Sequence, residues 1–191
     1  MAGLATLPEP PVHGLYWRLL AHATGLANDD LFARMLTSQA TGAGALPPGL
    51  GLAPEAFAEL LGRHFPDCGP LGLTATEALD DARALEREDL VALLLEGRAG
   101  RDRSETWMAA IVAAACMAGD HLWQDLGLWS RTDLTRLMHD NFPHLAAQNT
   151  HDMKWKKFLY RQICDREGIP VCPAPSCQSC ADYAQCFNVG P

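Results

Sequence analysis

The chain has 191 residues, 48% of them hydrophobic and 20% charged, with a formal net charge of -8. That length suits one domain that buries about two thirds of its unfolded surface, and the apolar fraction excludes an intrinsically disordered chain. Residues 1–150 carry 10 Lys and Arg against 19 Asp and Glu, a balance that repels phosphate backbones and argues against a general nucleic-acid binder.

The N-terminal stretch MAGLATLPEPPVHG shows neither a basic region nor an apolar run before its prolines, so a cytoplasmic location is expected. Helical periodicity then predicts two short helices, one through Leu15, Leu19, Leu20 and Leu26 and one after Asn28 and Asp29 through Leu31, Met35 and Leu36. Thr41 to Pro54 is rich in Gly and Pro and reads as a loop, and Pro54 suits the first turn of a helix ending near Phe65. After the breaker sequence HFPDCGPLG, a helix is expected from about Asp80 to Glu96, closed by Gly97 and Gly100.

Ser104 is the expected cap of a long central helix through Trp107, Ile111, Ala114 and Ala118. Its apolar run, Trp107 to Ala118, has twelve residues, whereas a bilayer span takes about 20; no membrane anchor is expected. Ser130, with Asp133 three positions on, resembles a capping box for a helix stopped before Pro143. The last helix should run from about Asp152 to Glu167, with Asn149 as its cap and Gly168-Ile169-Pro170 as its stop. At 100° per residue, Trp155, Phe158, Leu159 and Ile163 share one arc and Lys154, Lys157 and Arg161 the opposite one. With no strand-like alternation anywhere, the fold class is all-α: a helical body over 1–168 and an irregular cysteine-rich, cluster-binding loop over 169–191.

That loop makes the sharpest chemical statement in the chain. Cys172, Cys177, Cys180 and Cys186 stand as C-x4-C-x2-C-x5-C, and in a chain expected to stay in a reducing compartment such thiols point to metal ligation rather than disulfides. Thiolates are soft ligands that select zinc or iron-sulfur clusters. Structural zinc sites usually show two separated C-x2-C pairs, whereas one compact run leans toward a cubane cluster. The two readings stay open on spacing alone.

Around the run, the cationic residues Lys154, Lys156, Lys157 and Arg161 offer either charge compensation for an anionic cluster, with attraction of an oxyanion such as molybdate, or a plain solvated face. Cys164, at the edge of the cationic arc, is a candidate fifth ligand but reads better as a packed helical cysteine, and His144 and His151 are candidate additional ligands set against the commoner role of surface or capping groups. Cys68 and Cys116 read as structural thiols.

The segment NTHDMKWKKFLYRQICDREG followed by the four-cysteine run resembles the C-terminal signature of the NifQ family. The resemblance is sharpest from Asn149 to Phe187 and implies a molybdenum donor for the iron-molybdenum cofactor of nitrogenase, a carrier rather than an enzyme. It further implies a molybdenum-iron-sulfur cluster, or its iron-sulfur precursor, held by Cys172, Cys177, Cys180 and Cys186. The implied partners are a cofactor-assembly scaffold, the nitrogenase iron protein and a molybdenum source such as molybdate. Two other readings compete. A helical DNA glycosylase carries a C-x6-C-x2-C-x5-C ending, but the first spacing here differs and no glycine-rich hairpin with a catalytic Lys and Asp is found. A zinc-stabilised interaction module is the third.

Overall fold

The computed structural model describes residues 11–75, 83–166 and 168. Among these, the regular elements are helices throughout: α1 (Pro11–Ala21), α2 (Asp29–Ala40), a 3-10 turn (Pro48–Gly51), α3 (Pro54–His64), α4 (Ala84–Glu96), α5 (Ser104–Cys116), α6 (Leu122–Asp125), α7 (Arg131–Asn141), α8 (Pro143–Gln148) and α9 (Trp155–Arg166). The expected loop over 169–191 lies outside the described residues.

Helix α5 is the axis of the body. Eleven of its thirteen residues are buried, as a helix that is apolar all round requires. Ala109, Ala113 and Ala115 are fully buried, and their small side chains let neighbouring backbones come close. Helix α4 lies along α5, α9 packs on α4, and α1 pairs with α2. Phe32, Phe65, Phe142 and Leu94 close the space between these layers, each worth about 1.5–3 kcal/mol when fully buried.

Several expected boundaries move. Ser104 is the first residue of α5 but not its cap: the Asp102 carboxylate accepts the Ser104 N–H at 2.8 Å, and Glu105 gathers the N–H groups of Gly100, Arg101 and Asp102. The helix ends at Cys116, short of Ala118. Ser130 does cap α7, accepting from the Asp133 N–H at 3.1 Å, but Asp133 turns its carboxylate to Arg34 instead of closing the box. Pro143 opens α8 instead of merely ending α7, since proline at the first helical position loses only an N–H that has no intrahelical partner. Helix α9 starts at Trp155, later than Asp152, because Asp152 holds a left-handed φ of 48°. The Asn149 side chain spans that bend, accepting from the Met153 N–H and donating to the Met153 carbonyl, both at 2.8 Å.

Two buried polar joints tie distant elements together. Asn28 donates to Ser104 Oγ and Asn141 Oδ1, while Asn141 donates back to Asn28 Oδ1. His64 Nδ1 meets Asp29 Oδ1 at 2.6 Å, and the other Asp29 oxygen accepts the Gly25 and Leu26 N–H groups. The His64 ring lies 4.7 Å from that of Phe32, and its Nε2 is buried with no partner among the described residues. Burial pushes the His64 imidazole below its ordinary 6.5, partly opposed by Asp29. Below that pH the unfolded chain takes up a proton that the folded chain resists, so stability present above it is lost as pH falls. The melting temperature should therefore drop between pH 7.5 and 5.5, and drop less in His64→Gln; parallel declines in the two proteins would contradict this assignment.

Candidate functional site

The four cysteines Cys172, Cys177, Cys180 and Cys186 lie outside the described residues. What the structure does describe is the platform from which the chain departs toward them, helix α9, and how the body grips it.

Along α9 the side chains of Lys156, Tyr160 and Cys164 recur every four residues and are all buried, forming one stripe against the body. Lys156 Nζ donates to the Ala118 carbonyl at 2.8 Å and pairs with the Asp125 carboxylate. Both partners are nearly sealed from water, with side-chain exposures of 8% and 2%. One turn on, the Tyr160 hydroxyl donates to Glu86 and accepts from Arg83 Nη2 at 3.1 Å. Arg83 also forks onto both Glu86 oxygens and donates to the Met117 carbonyl at 2.6 Å.

Two cations therefore sit on the consecutive carbonyls of Met117 and Ala118, just where α5 runs out. Those carbonyls have no intrahelical partner and carry the negative end of the helix dipole, so an ammonium and a guanidinium are the groups best suited to them. Burial pushes the Asp125 carboxyl up against the pull of Lys156. For Glu86 burial acts in the same direction, but the hydrogen bonds from Arg83 and Tyr160 outweigh it and hold the carboxyl below its usual range. Cys116 is enclosed at this junction, and burial pushes its thiol up to about 12 despite the nearby Lys156. It stays a protonated thiol there.

Beside the junction a cleft of about 260 Å³ opens, lined by Ala45 and Pro47, by Arg83 just before α4 and Arg87 within it, and by Ala114, Met117 and Ala118.

This geometry corrects part of the sequence reading. Lys156 does not belong to a solvated cationic face; it is a buried ion-pair partner. Lys154 and Lys157 are half-buried and engaged, and exposed Arg161 faces Asp165 at 3.6 Å. Cys164 is buried on the body side of α9, as its reading as a packed helical cysteine expects, and its side chain is engaged. His144 and His151 are exposed, His151 meeting the Thr150 hydroxyl at 3.1 Å. Among the described residues no group of three or more His, Cys, Asp or Glu side chains is arranged to hold a metal. Cys68 and Cys116 are free thiols, in keeping with their structural reading.

Sequence reasoning missed Arg83, Glu86, Asp125 and Tyr160. A signal existed for Lys156: on a helical wheel it falls about 20° from Ile163, inside the apolar border. Nothing local marked its partner, which lies 31 positions away.

The family model described as NifQ matches residues 31–188. Protein NifQ of Azotobacter vinelandii is 45% identical over 173 residues, covering 85% of this chain and 89% of its own. Protein NifQ of Rhodobacter capsulatus is 40% identical over 183 residues, with coverage of 94% and 96%, and that of Klebsiella pneumoniae is 39% identical over 166 residues, with coverage of 83% and 98%. No solved structure matches the chain.

A closed junction makes a chemical prediction. Alkylation of the native protein at pH 8, followed by peptide mapping, should label half-buried Cys68 well before fully buried Cys116; equal rates would mean that the α5 end is open to solvent.

Proposed function

The chain belongs to the NifQ family, and we propose that it carries a molybdenum-iron-sulfur cluster and hands molybdenum to the assembly of the nitrogenase iron-molybdenum cofactor. The cluster, or its iron-sulfur precursor, is the cargo, and Cys172, Cys177, Cys180 and Cys186 are its ligands. The observation that carries this reading is the C-x4-C-x2-C-x5-C run, which falls inside the family match over residues 31–188.

The donor set fits such a cargo. Thiolates are suited to iron in a cubane, and three of them would hold the three irons of a cluster with one molybdenum corner. Molybdenum takes more ligands than a single remaining thiol provides, so part of its shell comes from solvent or another side chain. An incompletely enclosed metal is what a donor needs, because an ion in a closed protein shell leaves slowly. The protein is thus a carrier in the cytoplasm, and its partners are a cofactor-assembly scaffold, the nitrogenase iron protein and a molybdenum source. No helix among the described residues is long and apolar enough to cross a membrane, and the acidic balance of residues 1–150 gives no footing for nucleic acid.

Anaerobic purification followed by iron, sulfide and molybdenum analysis with electron paramagnetic resonance tests the proposal. The wild type should be coloured and hold iron, sulfide and molybdenum, and Cys180→Ala should lose most of the molybdenum and the wild-type signal. Colourless protein with one zinc per chain would refute it.

A further inference from the structure

The cleft beside the α5 end carries an anomaly. Arg87 is half-buried and lines both this cleft and a neighbouring cavity of about 370 Å³, yet among the described residues it makes no hydrogen bond or ion pair. Other part-buried arginines of the body are matched: Arg34 with Asp30 and Asp133, Arg83 with Glu86. A half-buried guanidinium in a cleft, with five donors and no partner among the described residues, suits an oxygen-rich anion, since its planar fork matches carboxylate, phosphate and similar oxyanions.

We propose that the cleft between α4 and α5 is a binding site for a small tetrahedral oxyanion, with Arg87 as its principal ligand. Arg83 stands one helical turn before Arg87 and lines the same cleft. Four of its donor contacts are committed, two to Glu86 and one each to Met117 and Tyr160, which leaves one Nη1 hydrogen for the anion. The remaining walls, Ala45, Pro47, Ala114, Met117 and Ala118, are mostly apolar, so their side chains offer few groups that compete for the guanidinium contacts. The volume exceeds that of one tetrahedral oxyanion and admits a few waters. The carboxylates nearest in the chain are accounted for or named as rivals: Glu86 is bound by Arg83 and Tyr160, Glu88 faces the neighbouring cavity, and Glu77, Asp80 and Asp81 precede Arg83 outside the described residues.

The role of oxyanion capture thus moves from the α9 cations to α4. Molybdate as the physiological anion rests on the donor reading above; binding of the oxyanion class does not.

Titration calorimetry of molybdate, sulfate and phosphate into the full chain tests the site, in wild type, Arg87→Ala, Cys180→Ala and Arg131→Ala. The wild type should bind molybdate and sulfate at one site per chain. Arg87→Ala should weaken that affinity at least tenfold, while Arg131→Ala, an exposed arginine at the start of α7, should leave it unchanged. Sulfate cannot supply molybdenum to a cluster, so a shared site separates oxyanion recognition from cluster chemistry, and a preference for molybdate identifies the cargo route. Binding that persists in Cys180→Ala and fails in Arg87→Ala belongs to the cleft. Binding lost in Cys180→Ala but kept in Arg87→Ala belongs to the cysteine run and overturns the proposal, as does the absence of binding in the wild type. Neither of these failures touches the metal content of the cysteine run, which is read independently.

Discussion

A single buried ammonium organises the end of the molecule from which the chain departs toward the cysteine run. Lys156 reaches from α9 into the body and meets the Asp125 carboxylate and the Ala118 carbonyl at a place where neither partner sees water. Removing a charge from water costs several kcal/mol, and a buried pair regains that cost only when its geometry and extra hydrogen bonds are good. Here Asp125 also accepts the Asp120 N–H at 3.1 Å. Such a pair is a poor source of net stability but a strong selector of register, because any rotation of α9 would strand a charge in the core. Tyr160 repeats the constraint one turn later through Glu86 and Arg83. Together the two contacts fix which face of α9 meets the body, and so where Cys164 and Gly168 stand as the chain continues toward Cys172.

Much of this architecture was legible in the residues. The central helix followed from the spacing of Trp107, Ile111 and Ala114 in an apolar run too short for a bilayer, and α3 from a proline placed to open it. The elements that escaped were those without a pattern of their own. Helix α6 has four residues, too few to show periodicity, and α8 begins at a proline whose presence signals a stop and a start equally well. Ser104 had the chemistry of a cap, but its hydroxyl is spent on Asn28, 76 positions away.

The candidate site divides in the same way. Its proposed ligand set is local in sequence, four thiols within fifteen residues, and is visible as a spacing. Its support is not local: Arg83, Glu86, Asp125, Lys156 and Tyr160 come from α4, α6, α9 and the residue before α4, and each looks like an ordinary surface residue until the fold brings it in. Counting Lys156 with the other cations of α9 failed for this reason. Charge near the cysteine run suggested electrostatic attraction, whereas in the fold one of those charges is consumed in holding the helix.

The direct test of this account is a double-mutant cycle on Asp125→Leu and Lys156→Met, followed by denaturant unfolding. Each single substitution should cost about 3–5 kcal/mol by leaving its partner charged and buried, and the double variant should recover most of that loss. Losses that simply add, or singles as stable as the wild type, would contradict the claim that this pair locks α9 to the body.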